Sequence, residues 1–303
     1  MELNLMALFK ALPGSVAQGI FYGIMALGVY VTYKLLDFAD LTVDGSLVTG
    51  GAVAVMLMLS GVNPYLALLC ALLAGMLAGL VTGLLHTAFG IPPILSGILT
   101  QIGLYSINMR IMGKSNQPIS VDKYDLIVSL REIPHAILMG AIFVAVVIGV
   151  LYWFFGTETG SAIRATGANP QMARAQGVNT NNMKLLALVI SNGLVALAGA
   201  LYAQYNGSAD INMGRGAIVI GLAAVIIGEV LFGRRGNFAW TLLSVVFGGI
   251  VYFLVIALVI QLGLSTTDLK LFQALTVAVF LAVPHLREQL GRTLRRSAKG
   301  GDQ

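Results

Sequence analysis

The chain has 303 residues, of which 57% are hydrophobic and only 10% are charged, and its net charge is +5. Soluble globular proteins carry about 25% charged residues, so this chain cannot cover its surface with polar side chains and must be solvated largely by lipid. It has no basic stripe with interleaved aromatic residues, which argues against a nucleic-acid-binding protein. The single cysteine, Cys70, excludes a disulfide framework and a thiolate metal site.

Apolar segments follow one another along the chain, each near the roughly 20 residues that a helix needs to span a bilayer. All are predicted to be helices, because backbone polar groups in lipid must pair within their own segment. No loop between them is long enough for a soluble domain, so residues 1–303 are predicted to form one all-α integral membrane domain. The nine predicted spans are 14–35, 44–60, 64–89, 92–112, 135–156, 184–205, 214–232, 238–260 and 267–284.

The basic residues predict the orientation, since cytoplasmic loops carry an excess of Lys and Arg. Nine helices place the basic residues of the loop at 157–183, the loop at 233–237 and the C-terminal tail on one side. The loop at 113–134 falls on the other side, where acidic residues balance its basic ones. The N-terminus is therefore predicted outside and the C-terminus in the cytoplasm.

The two halves of the chain resemble each other at an offset of 170 residues. GIMAL at 23–27 aligns with GLVAL at 193–197, and Ala39-Asp40 aligns with Ala209-Asp210. The first predicted helix runs inward and the sixth runs outward, so helices 1–4 and 6–9 are predicted to form an inverted-topology repeat. Such repeats are typical of transporters, in which one half rocks against the other.

Two short segments that contain glycine and charged residues, at 37–51 and 206–221, stand at matching positions of the two halves. Interrupted segments of this kind indicate a binding or permeation path, and helix starts favour anionic groups such as a carboxylate. Ordinary loops with capping residues are the alternative, with Asp44 or Ser46 as the N-cap of the second helix. Together with the fourth helix, these segments supply the residues predicted to line a translocation path: Asp44, Ser46, Thr49, Gln101, Asn108, Gly214 and Gly216, with Arg215 at the outer mouth.

Polar and small residues inside the apolar runs allow two interpretations. Gln101 and Asn108 on the fourth helix, and Asn192 on the sixth, either line the solute path or join helices by hydrogen bonds. Glu229 is expected to pair with Arg234 or Arg235 across a helix end rather than to relay protons. The small-residue face of the third helix is typical of helix packing, within the chain or at a subunit interface; its members are Gly75, Gly79 and Gly83.

A polar segment at 157–183 separates two strongly apolar runs. Asn169 is predicted as the N-cap and Pro170 as the first residue of a short helix at 170–176, which Gly177 ends in a left-handed cap. This helix is too short to span and is predicted to lie on the inner membrane surface, with Met172 and Ala175 on one face. A rigid, capped helix suits docking to a partner; an amphipathic loop helix in the membrane interface is the alternative.

The stretch AIRATGANPQMARAQGVNTNNMKLLALVISNGLVALAGALYA, at 162–203, resembles the cytoplasmic coupling loop of ABC importer permeases in the branched-chain amino-acid and ribose permease superfamily. The stretches at 36–55 and 101–118 resemble a subgroup of these permeases for aromatic amino acids or related small solutes. One feature departs from the family pattern: the general importer motif has a glutamate near Ala173, where this chain has no acid. The residues of the coupling loop that carry the resemblance are Arg164, Arg174, Ala175, Gly177, Val178, Asn179 and Thr180.

The resemblance implies a type II importer fold in the bacterial inner membrane. It implies a pair of permease subunits, here a homodimer, that binds two cytoplasmic ATPase subunits and receives an amino acid from an extracytoplasmic binding protein. The chain itself is expected to be no enzyme and to bind no ATP or other cofactor, because it lacks a complete phosphate-binding loop. The residues implied to couple to the ATPase are Arg164, Asn169, Pro170, Met172, Arg174, Ala175 and Gly177.

Two other classes of protein explain part of the pattern. An ion- or proton-coupled secondary transporter would account for the repeat, but it would need an acid deep in the bilayer, and Glu229 is the candidate. A structural or assembly membrane protein would need no docking helix. No fixed full charge is predicted midway along the path, so the permease alone is expected to hold its solute weakly.

Overall fold

The computed structural model describes residues 5–121, 123–233 and 236–261, together with a few positions between 271 and 282. The predicted span at 267–284 lies almost wholly outside the described residues, as do Arg234, Arg235 and the C-terminal tail. The described part is mostly helical, and its two short strands are β1 (Asn116–Pro118) and β2 (Ser208–Asp210). Its helices are α1 (Leu5–Tyr30), α2 (Val43–Leu59), α3 (Pro64–Thr87), α4 (Pro93–Met112), α5 (Ile133–Phe155), α6 (Glu158–Ala168), α7 (Pro170–Ala175), α8 (Thr180–Asn206), α9 (Ala217–Phe232) and α10 (Phe238–Gln261).

Each of the first eight predicted spans coincides with a described helix. Five helices are long and apolar enough to cross a membrane: α1 with its continuation to Leu35, α3, α5, α8 and α10. α2 and α9 are apolar but shorter, with 17 and 16 residues. A non-helical segment precedes each of these two short helices, as the sequence predicts. The total of nine membrane crossings stays a prediction.

α8 lies at the centre of the described helices, and its C-terminal half, from Ser191 to Tyr205, is almost entirely buried. It packs on α1, α2 and α3, whereas α10 packs on α1 and α9. α5 is mostly exposed and contacts chiefly α1 and α10. Because its exposed residues are apolar, α5 is suited to face lipid.

The small-residue face of α3 packs inside the chain and not at a subunit interface. A Cβ atom at Gly75 would meet the carbonyl oxygen of Asn192, and one at Gly79 would meet the carbonyl oxygen of Leu188. Gly83 lies against Leu185. The glycines thus let the backbones of α3 and α8 approach closely, as small residues do between membrane helices.

A buried polar network joins the linker after α1 to α8. Asp40 accepts hydrogen bonds from the Thr42 amide (2.9 Å) and from Nδ2 of Asn192 (2.7 Å). Oδ1 of Asn192 accepts from the Ser46 hydroxyl at 2.6 Å. Since all these side chains are buried, Asn192 joins helices by hydrogen bonds instead of lining a path.

α1 does not end cleanly but continues as a π-helical segment from Val31 to Leu35. Lys34 in this segment pairs with Glu229 of α9, with 3.0 Å between Nζ and the carboxylate. The prediction that Glu229 pairs across its own helix end did not foresee this partner, because Lys34 lies 195 residues away along the chain.

Candidate functional site

A cavity of about 420 Å³ lies between the start of α2, the middle of α4 and the residues that precede α9. Pockets of about 300–1,000 Å³ are typical of small-molecule sites. Four of the residues predicted for the path border it: Asp44, Gln101, Asn108 and Gly214. Arg215, predicted at the mouth, also borders it and is exposed.

Asp44 caps α9 and not α2, so the prediction that Asp44 or Ser46 caps α2 is wrong. The N-cap of α2 is Thr42, which makes no capping bond through its side chain. The carboxylate of Asp44 accepts the amides of Gly216 (3.0 Å) and Ile218 (2.9 Å). The positive end of α9 therefore already holds an anion supplied by the chain.

The other three predicted path residues are not part of the cavity lining. The hydroxyl of Ser46 bonds to Asn192, and that of Thr49 donates to the carbonyl oxygen of Gly45 at 2.9 Å. Gly216 is the left-handed N-cap of α9, with φ +83°. None of these three residues borders this cavity.

Asn108 is buried beside the start of α2. Its Nδ2 donates to the carbonyl oxygen of Gly45 at 3.3 Å. Its Oδ1 has no hydrogen-bond partner among the described residues. Asn108 is therefore both a link between α4 and α2 and an unsatisfied acceptor at the cavity.

The coupling loop contains two helices, α6 and α7, where the sequence predicts one. The predicted caps of the second are confirmed: Oδ1 of Asn169 accepts the amides of Gln171 (3.1 Å) and Met172 (3.0 Å), and Pro170 is the first helical residue. Gly177 follows with φ +83°. α6 was missed, although Thr157 and Glu158 form a normal N-cap and acidic first turn.

α7 presents one side to the exterior and is tied to the chain by the other. Ala173 is buried, whereas Met172 is 63% exposed and Ala175 is also exposed. Nε of Arg174 donates to the Thr180 hydroxyl at 2.7 Å, which joins α7 to the first turn of α8. The residues of α7 predicted to couple to the ATPase are all exposed, as are the predicted residues at its two ends: Asn169, Pro170, Met172, Arg174, Ala175 and Gly177.

α6 connects the loop to the membrane helices at two points. Arg164 donates to the carbonyl oxygen of Phe155 at 2.7 Å and lies over the ring of Phe238. A Cβ atom at Gly167 would meet the carbonyl oxygen of Leu35 at the end of the π-helical segment. Arg164 therefore positions α6 against the ends of α5 and α10.

The chain is similar to several known membrane proteins. The family described as branched-chain amino acid transport system permease component matches residues 12–284. A tyrosine transport system permease protein of Clostridioides difficile (strain R20291) is 41% identical over 91% of this chain and 92% of its own length. The inner membrane ABC transporter permease protein YjfF of Escherichia coli (strain K12) is 30% identical over 76% of this chain and 71% of its own.

A solved structure, PsaBC from Streptococcus pneumoniae in complex with Fab, shares the fold, with a TM-score of 0.52 at 15% identity. The match covers 92% of this chain and 94% of that one. The fold and the sequence relatives together define an integral membrane permease subunit of an ABC transporter. The chain belongs to the branched-chain amino acid transport permease family, and the family resemblance stated from the sequence is confirmed.

Proposed function

We propose that this chain forms the translocation path of an ABC importer for an amino acid, aromatic or branched-chain. The similarity to a tyrosine transport permease over nearly the whole chain supports the solute class. The observation that carries the mechanism is a continuous series of contacts from the exposed face of α7 to the wall of the cavity.

The contacts run through α6 and the linker before α2. α6 lies on the backbone of Leu35 and Leu36 at Gly167, where any side chain would clash. The linker that follows contains Asp37, with φ +56°, and leads directly into the first turn of α2. Asp44 in that turn borders the cavity and holds the start of α9, so a push on α7 moves the cavity wall.

The proposed assembly contains two copies of this chain, two cytoplasmic ATPase subunits that dock on α7, and an extracytoplasmic binding protein. It lies in the bacterial inner membrane, with the N-terminus outside and the C-terminus inside. The inverted repeat of nine spans is supported by reciprocal packing, since α3 packs on α8 and α10 packs on α1. The aligned residues Asp40 and Asp210 also form turns of the same kind: the side chain of each accepts a hydrogen bond from the backbone amide of the residue two positions later.

A proton- or ion-coupled secondary transporter is not favoured. Its candidate acid, Glu229, forms an ion pair with Lys34 and is 18% exposed near a helix end. Ion-coupling acids instead lie deep in the membrane along the substrate path. Nothing in this pairing provides a proton relay.

Reconstitution into vesicles tests the proposed function. The chain alone should take up no amino acid under a proton or sodium gradient, because its transport is driven by ATP in a partner. Adding the ATPase subunits, ATP and the loaded binding protein should give uptake. Gradient-driven uptake by the chain alone would overturn the proposal.

Cysteine accessibility tests the path. On a Cys70→Ala background, Ser106→Cys at the cavity should react with a small water-soluble thiol reagent, and ATP should block the reaction in the assembled complex. Ser46→Cys is the matched control and should stay unreactive, because Ser46 is buried and is not part of the cavity lining. Equal reactivity at both positions, or none at position 106 in any state, would place the path elsewhere.

A further inference from the structure

The cavity carries two opposite charges that do not neutralise each other. Asp44 contributes a carboxylate to its wall, and Arg215 contributes an exposed guanidinium. Among the described residues, Arg215 forms no ion pair and no side-chain hydrogen bond, either with Asp44 or with any other group. A separated anion and cation in one small cavity complement a ligand that carries both a positive and a negative group.

The end of the cavity at Asp44 offers hydrogen-bond acceptors. Each carboxylate oxygen of Asp44 accepts one amide of the α9 start and retains a further lone pair. Asn108 lies next to it, bonded to Gly45, and its buried Oδ1 has no partner among the described residues. A buried acceptor of this kind calls for a missing donor, and an ammonium group supplies three.

The carboxylate end lies elsewhere than the sequence predicts. The helix-start amides of α9 were expected to receive a solute carboxylate, but Asp44 already occupies those of Gly216 and Ile218. Ser46 and Thr49 donate to other groups of the chain. The cationic donor that remains at the cavity, among the described residues, is Arg215.

We propose that this cavity binds a zwitterionic α-amino acid, with its ammonium group toward Asp44 and Asn108 and its carboxylate toward Arg215. The apolar wall formed by Val48, Ile102 and Tyr105 receives the side chain. The proposal rests on the proposed function for the solute class. Because Arg215 stays in water, its contribution is small, and binding to the permease alone should be weaker than about 1 μM.

Three small molecules that share one skeleton test the two ends separately. Thermal unfolding of the purified full chain in detergent is followed with L-phenylalanine, with phenethylamine, which lacks the carboxylate, and with 3-phenylpropionate, which lacks the amine. L-phenylalanine should raise the Tm more than either analogue. L-leucine, isoamylamine and 4-methylpentanoate form the same series for a branched-chain solute.

Two substitutions test the two ends of the site separately. In Arg215→Gln, the amino acid should raise the Tm no more than the amine does. In Asn108→Leu, the amino acid should raise the Tm no more than the acid does. Lys114→Gln, at an exposed lysine that does not border the cavity, is the matched control and should keep both preferences. If Asn108→Leu does not fold, the Arg215→Gln variant still tests the proposal, because Arg215 is exposed and its substitution does not disturb the core.

The outcomes separate this proposal from the proposed function. Equal effects of all three compounds in both series, or an unchanged preference in Arg215→Gln, would overturn the site. Stronger protection by glycerophosphoethanolamine, which carries the same two charges, would assign the cavity to a lipid headgroup and also overturn it. Uptake of labelled amino acids by the reconstituted complex is measured in parallel: its absence refutes the proposed function, whereas uptake without any zwitterion preference refutes the site alone.

Discussion

Gly177→Val is expected to uncouple ATP hydrolysis from transport in the assembled complex. Gly177 has φ +83° and ends the helix α7. A side chain in this left-handed conformation costs about 1–2 kcal/mol, and a β-branched residue is among the least tolerated there. Since 1.4 kcal/mol is a factor of ten in population, uptake should fall about tenfold, while hydrolysis in the partner subunit continues.

The measurement is the ratio of solute taken up to ATP hydrolysed in vesicles. Gly113→Val is the matched control, because Gly113 also has positive φ, at +70°, with no atom within 4 Å of an added Cβ, but it ends α4 outside the coupling loop. It should carry a similar local strain and leave the ratio unchanged. Arg174→Glu should also lower the ratio, since it removes the link from α7 to Thr180. Unchanged coupling in Gly177→Val and Arg174→Glu would contradict the docking role.

Gly79→Leu is expected to prevent accumulation of the folded chain. An added Cβ would meet the carbonyl oxygen of Leu188 and lie 3.0 Å from Cβ of Asn192. Because the carbonyl oxygen belongs to the α8 backbone, α3 must move away from α8, and the close packing of the two helices at Leu188 and Asn192 is lost. Overpacking of this kind costs about 1–3 kcal/mol.

Yield and Tm of the purified chain measure this effect. Gly149→Leu on α5 is the control: no atom lies within 4 Å of an added Cβ there, and the position is exposed. It should purify like the unmodified chain. If the α3 glycines instead formed a subunit interface, Gly79→Leu would give a stable, folded monomer, and that result would contradict the packing described here.

The sequence by itself determined the features that depend on local chemistry. Composition determined the membrane environment, and the apolar segments determined where helices lie. Asn169, Pro170 and Gly177 determined the ends of α7, because capping bonds join residues only two or three positions apart. The family resemblance needed no more than these local patterns in order along the chain.

Tertiary structure decided which groups meet across the two halves of the chain. Asp44 lies in the first turn of α2, where local rules suggest a cap for that helix, yet it caps α9 across 172 residues. Glu229 likewise pairs with Lys34, which is distant along the chain. Asn192 joins helices by buried hydrogen bonds, whereas Asn108 has an unsatisfied oxygen at the cavity. Helical periodicity determines which face of a helix a residue occupies, but the partner of that face depends on how closely helix backbones approach. In this chain, glycines such as Gly79 set that approach, and its consequences become visible only once both helices are in place.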